Sequence, residues 1–214
     1  MNQISLAACF SKHVCKSLVV LILLSISFES SAQFASNDGI TPREKYILKI
    51  KERRNSSRYS DSIFYSQGKK LVWSDFSGRP SSNSGFAAIT RSGFGMHWSE
   101  DFDGYTTIIN LTVPVYFIKS KSWVKQHARK DYELAHEQLH FDITMLIAQR
   151  FITSLQQMDL NHNYAAIIQQ EYRKFYNQLK VIQNNYDAET NHGLIKSKQK
   201  EWKDWIEGEL EQFL

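Results

Sequence analysis

One stretch of this 214-residue chain has residue types and spacing suited to chemistry: His136-Glu-Gln-Leu-His140. On a helix, positions i and i+4 lie on one face, so both imidazoles can address a single ion. Zinc is the ion for which this pattern is known, and a glutamate following the first ligand can sit beside the water that such a zinc holds. The bound ion makes that water more acidic, and Glu137 is placed to take its proton. Two imidazoles do not complete a catalytic zinc site, which takes three protein ligands. Ile143 and Leu146 stand where the metzincin pattern needs Gly and His, so the third ligand must come from later in the chain. Candidates are His162, Glu171, Asp187, Glu189 and His192. The densest group is Tyr186-Asp-Ala-Glu-Thr-Asn-His-Gly193, where Gly193 permits a sharp turn that could aim His192 back at the first helix. His192 is therefore the favoured third ligand, with Glu189 as its rival. Tyr186 reads as a core edge more readily than as an oxyanion donor. Asp142, two residues past His140, faces away from the metal and suits a supporting hydrogen bond.

These residues need a rigid carrier. From about Ala128 the chain reads as helix, with Leu134, Leu139, Phe141, Met145, Ile147, Ala148 and Phe151 marking a strongly buried one. Residues 159–163 break it. A second helix is expected over about 164–183, then a polar loop or helix end over 184–193. A last amphipathic helix carries Trp202, Trp205, Ile206 and Leu210. Residues 61–124 instead read as strands and turns, with residues 105–123 rich in Thr, Ile, Val, Tyr and Phe and Pro114 suggesting an edge or a bulge. The fold class that follows is α+β, a small antiparallel sheet followed by three helices.

Upstream, residues 33–60 read as a polar leader, with one short helix over about 42–54 whose charges form a solvated face. Residues 1–32 read as a secretory signal peptide: Lys12 and Lys16, a short apolar run from Leu18, then small residues at Ser30 and Ala32. The apolar run is short of the roughly 20 residues a membrane span requires. Both cysteines, Cys9 and Cys15, fall in that segment, so the exported chain would build any metal site from His, Asp and Glu alone. A net charge of +4, evenly spread, gives no reason to expect nucleic acid as a partner. The remaining chain, 61–214, is enough for one domain with a sizeable core.

The sequence also resembles a bacterial family of uncharacterised proteins regarded as predicted secreted zinc-dependent proteases. The resemblance rests on Leu71-Val-Trp-Ser-Asp-Phe76, Ser84-Gly-Phe-Ala-Ala-Ile-Thr90, Lys121-Ser-Trp-Val124, His136-Glu-Gln-Leu-His-Phe-Asp-Ile143 and Tyr186-Asp-Ala-Glu-Thr-Asn-His-Gly193. It implies a zincin-like domain with the motif on a buried helix, His136, His140 and His192 as ligands of Zn2+, and Glu137 as catalytic base. The expected function is an exported metallopeptidase, periplasmic or secreted, acting on a peptide or protein substrate that could pair with the 105–123 strand. Alternatives are a zinc amidase acting on cell-wall material and a non-catalytic exported binding domain with a structural metal site.

Overall fold

The computed structural model describes residues 44–53 and 60–213. The expected signal peptide and the start of the leader lie outside them. The described part is α+β, with a mixed five-stranded sheet, a two-stranded sheet and three long helices.

Strands β1 (Lys45–Arg53), β2 (Ser62–Phe64), β4 (Ser92–Phe94) and β5 (His97–Phe102) all pair with one central strand, β6 (Thr106–Ile118). In β6 every second side chain, from Ile109 through Leu111, Val113 and Val115 to Phe117, is buried, as a strand with one face on a core requires. Three expectations need correction here. Lys45–Arg53 is a strand, not a leader helix: Tyr46, Leu48 and Ile50 share one face and pack on the core. Because β1 runs parallel to β6 over nine residues, the sheet is mixed and not purely antiparallel. Nor does Pro114 mark an edge. Its missing N–H falls at a seam in the middle strand, where β1 ends opposite it and β4 takes over from β5 at Val115. The two-stranded sheet joins β3 (Ala88–Ile89) to β7 (Trp123–Val124), antiparallel.

Helix α1 (Asp131–Gln156) packs against β6 and is flanked by α2 (Tyr164–Thr190) and α3 (Lys196–Glu211). Its Phe141 ring meets Phe117 of β6 and Tyr65, with centroids 6.0 and 5.0 Å apart. Ile143, Leu146, Ile147, Ala148 and Phe151 have no measurable exposure. The polar side chains buried along so enclosed a helix must be hydrogen-bonded or serve a ligand.

Helix α2 continues past Gln183, where a polar loop was one expectation, to Thr190. Gln183, Tyr186, Asp187 and Thr190 recur at spacings of three and four, so they lie on one face of the helix. The helix then closes through left-handed residues. Asn191, His192 and Gly193 have φ of 47°, 53° and 85°, and the His192 N–H reaches the Asp187 carbonyl at 2.8 Å.

Candidate metal centre

The polar side chains of the His136–Asp142 segment divide between two sides of α1. Gln138 and Asp142 face the polypeptide that precedes β3. Gln138 accepts the Leu71 N–H at 2.7 Å and donates to Asp142, which also accepts from the Tyr65 hydroxyl at 2.8 Å and pairs with Lys70 at 3.3 Å. Asp142 therefore ties the segment 65–71 to the helix and takes no part in the centre. Burial, with the Asp142 charge adding to it, pushes the Tyr65 phenol far above its ordinary range.

His136, Glu137 and His140 line a cleft of about 820 Å³ between α1, α2 and the segment 86–92. The two imidazoles stand nearly perpendicular, with centroids 4.9 Å apart, and Tyr186 of α2 stacks on His136 at 4.6 Å. Tyr186 is fully buried, and its hydroxyl donates within the protein, to Gln199 Oε1 at 3.2 Å and the His136 carbonyl at 3.3 Å. It is a packing platform for the histidines and has no exposed oxygen to offer a substrate.

The ring nitrogens are oriented on both sides. His136 Nδ1 meets Gln199 Oε1 at 2.9 Å, and His140 Nδ1 meets Gln183 Oε1. Gln183 Nε2 donates to the His140 carbonyl at 2.8 Å, which fixes its oxygen toward the ring. Both Nε2 atoms then converge on one oxygen of Asp187, at 3.2 Å from His136 and 3.0 Å from His140. His136, His140 and Asp187 offer three ligand atoms within 4.8 Å of one another, a group that could hold a metal ion.

The chemistry of the donors agrees with this. An amide oxygen can only accept, so each Nδ1 must carry its proton; in the neutral ring Nε2 is then a bare lone pair. Two lone pairs and a carboxylate oxygen facing one another call for a cation or for extra protons between them. With no cation present, protons serve. Burial opposes charge on His140, but hydrogen bonding to Asp187, with the nearby Glu137 and Asp187 charges, holds its pKa above the ordinary imidazole value. Burial likewise works against the Asp187 carboxylate, yet the bonds from both histidines hold its pKa well below the usual carboxylate range.

The other candidates are accounted for. His192, the favoured third ligand, stands outside the three-donor group; its ring is half-exposed, with Nδ1 3.6 Å from Asp187 Oδ1 and an edge contact to Phe86 at 5.0 Å. Glu189 accepts from the Trp202 indole at 2.9 Å on the α3 side. Glu171 is buried against Ser154 and Lys174. His162 is exposed in the turn between α1 and α2. Gly193 has a further role: a Cβ there would lie 3.1 Å from His136 Cγ, so the glycine makes room for the ring as well as for the turn. The sequence reading missed Gln183 and Gln199. Their signal, a glutamine one helical turn before Asp187 and another in the first turn of α3, has no meaning until the helices are docked.

Glu137 is 5% exposed and its Oε2 has no hydrogen-bond partner, although the side chain lines the cleft. The strand segment beside it is pinned to α1: Thr90 Oγ1 donates to the Glu137 carbonyl at 3.1 Å, and Ser92 Oγ meets Thr144 Oγ1 at 2.7 Å. The strand at the cleft is thus β3, and not the 105–123 stretch, which is central in the sheet. Lys125 donates to the Ala87 carbonyl, so Ala88, one residue on, turns its own N–H and C=O away from β7.

Compared with known proteins, the chain matches no protein-family model, no curated protein and no solved structure.

Proposed function

We propose that the chain is an exported, zinc-dependent peptidase. The observation that carries the reading is the pairing of a three-donor group with a buried carboxyl oxygen that has no partner and faces the same cleft. A buried unpaired carboxylate oxygen is costly, and its retention makes sense where a ligand completes it. A purely structural metal site would have no use for it.

In this reading His136, His140 and Asp187 hold zinc through imidazole nitrogens and a carboxylate, donors that zinc accepts. Zinc bound there would supply Lewis acidity, polarising a scissile carbonyl and making water a stronger acid. Gln199 and Gln183 keep the Nδ1 protons in place and so hold both Nε2 lone pairs toward the ion. Glu137 accepts the proton of the attacking water and returns it to the leaving amine. The outward backbone groups of Ala88 suit an extended peptide, which would add to the free edge of β3 beside Glu137. Asp187 replaces His192 as third ligand in this proposal, and His192 borders the cleft next to it. Export is carried into the reading from the signal peptide expected over residues 1–32, and peptidase activity from the family resemblance of the motifs.

The expected result for Glu137→Ala is about one zinc per chain, as in the unaltered protein, with peptide hydrolysis reduced by several orders of magnitude. Equal turnover by the two proteins would refute the role of Glu137. Hydrolysis of wall fragments in place of peptides would move the assignment to an amidase.

A further inference from the structure

We infer that the cleft selects acidic peptides. This rests on the peptidase reading for the class of substrate, but its physical basis is separate from the metal centre. Four cations line the cleft: Arg91 after β3, Lys130 before α1, Lys180 on α2 and Lys196 at the start of α3. Against them stand Glu133, Glu137 and Asp187, of which the last two are committed to the centre. Only Lys130 reaches a carboxylate, Glu133 at 3.8 Å. Arg91, Lys180 and Lys196 have no ion pair or side-chain hydrogen bond among the described residues.

Two of these cations are positioned by aromatic rings that also line the cleft. Lys180 Nζ lies 4.9 Å from the Tyr176 ring centre, and Lys196 Nζ lies 5.2 Å from that of Tyr132. An ammonium on a ring face is held by the ring quadrupole while its N–H donors stay free for an anion. Because the lysines sit on different helices, α2 and α3, the positive potential flanks the metal centre and does not come from a single patch. A bound divalent cation would add to it. Clefts lined by one sign of charge concentrate ligands of the other sign. Carboxylate side chains on an extended peptide are the occupants that fit both these charges and the free backbone edge of β3. Phosphate-rich polymers would satisfy the charges alone.

The test uses the full mature protein carrying Glu137→Gln, so that bound peptide is not consumed, with and without zinc. Two labelled peptides share an apolar centre and differ only in flanking Glu or Lys; their affinities are read by fluorescence anisotropy at low and high salt. The acidic peptide should bind on the order of tenfold tighter at low salt, as expected for a few partly exposed charge pairs. Adding salt should erode that difference. Charge reversal in Arg91→Glu, Lys180→Glu, Lys196→Glu should invert the preference. The milder pair Lys180→Gln, Lys196→Gln should reduce it with an unchanged melting temperature. Equal affinities, a preference untouched by the substitutions, or tighter binding of an oligonucleotide of equal charge would overturn the inference. Acidic peptide bound but never cleaved by the unaltered protein would support it while removing the peptidase reading. Equal cleavage of acidic and basic peptides would do the reverse.

Discussion

A neutral imidazole has one N–H, and at both His136 and His140 a glutamine oxygen takes it. In the proposed centre, metal affinity would therefore be set partly by residues that do not touch the ion. Replacing Gln199 with Leu should lower zinc affinity roughly 10- to 100-fold, measured by competition with a chelator of known strength. Asp187→Ala should lose most bound zinc, whereas His192→Ala should retain it; metal content of the purified variants distinguishes them. The opposite pattern would return the third position to His192. At this scale the sequence was informative wherever spacing along one helix decides geometry: His136, Glu137 and His140 needed only the 3.6-residue turn. The third donor depended on how α2 docks against α1. Asp187 was among the candidates, ranked behind a histidine beside a glycine; its place opposite the two imidazoles shows only once the helices are docked, because proximity to a turn says nothing about which side chain faces a distant helix.

Between α2 and α3 the chain turns in three left-handed residues, and this short element brings Gln199 and the Gly193 backbone against His136. Asn191 and His192 accept an unfavourable backbone region that only their surroundings justify. Gly193→Ala would add a strained φ and a Cβ 3.1 Å from the His136 ring. A loss of about 2 kcal/mol in unfolding free energy is expected, together with weaker zinc binding; chemical denaturation and metal titration on the same sample measure both. The strand order was less legible than the helices. Tyr46, Leu48 and Ile50 alternate as a strand does, but the neighbouring Lys45, Lys49 and Lys51 also suit a solvated helix. Only the backbone partner offered by β6 decides between them, and that partner lies about 60 residues away.

For the molecule as a whole, the cluster that would bind metal also makes stability depend on pH when metal is absent. The folded pKa of His140 is raised, so its contribution is complete below the ordinary imidazole value of 6.5 and is lost as pH rises through the folded value. Asp187 is depressed, so its contribution is complete above the ordinary carboxylate value of 3.8 and is lost as pH falls through the folded one. Metal-free protein should gain most from this cluster between those two ordinary values, and Asp187→Asn should lower stability in that window and flatten the falls on either side of it. Melting temperatures across pH 3 to 9 on chelator-treated protein would check this; an identical pH dependence in the variant would contradict it. With zinc bound the alkaline loss should vanish, since the ion takes the place of the protons.

All four outer strands of the larger sheet are paired to β6 alone, so that sheet has several edges despite its small size. The longest is the outer side of β1, which has no strand partner among the described residues. A free strand edge of nine residues is a template on which a second copy of the chain could assemble. Lys45, Lys49 and Lys51 stand exposed along it, and their mutual repulsion opposes such stacking. The three lysines thus disfavour edge-to-edge aggregation of the chain, which would matter most under the proposed export, before the core has closed.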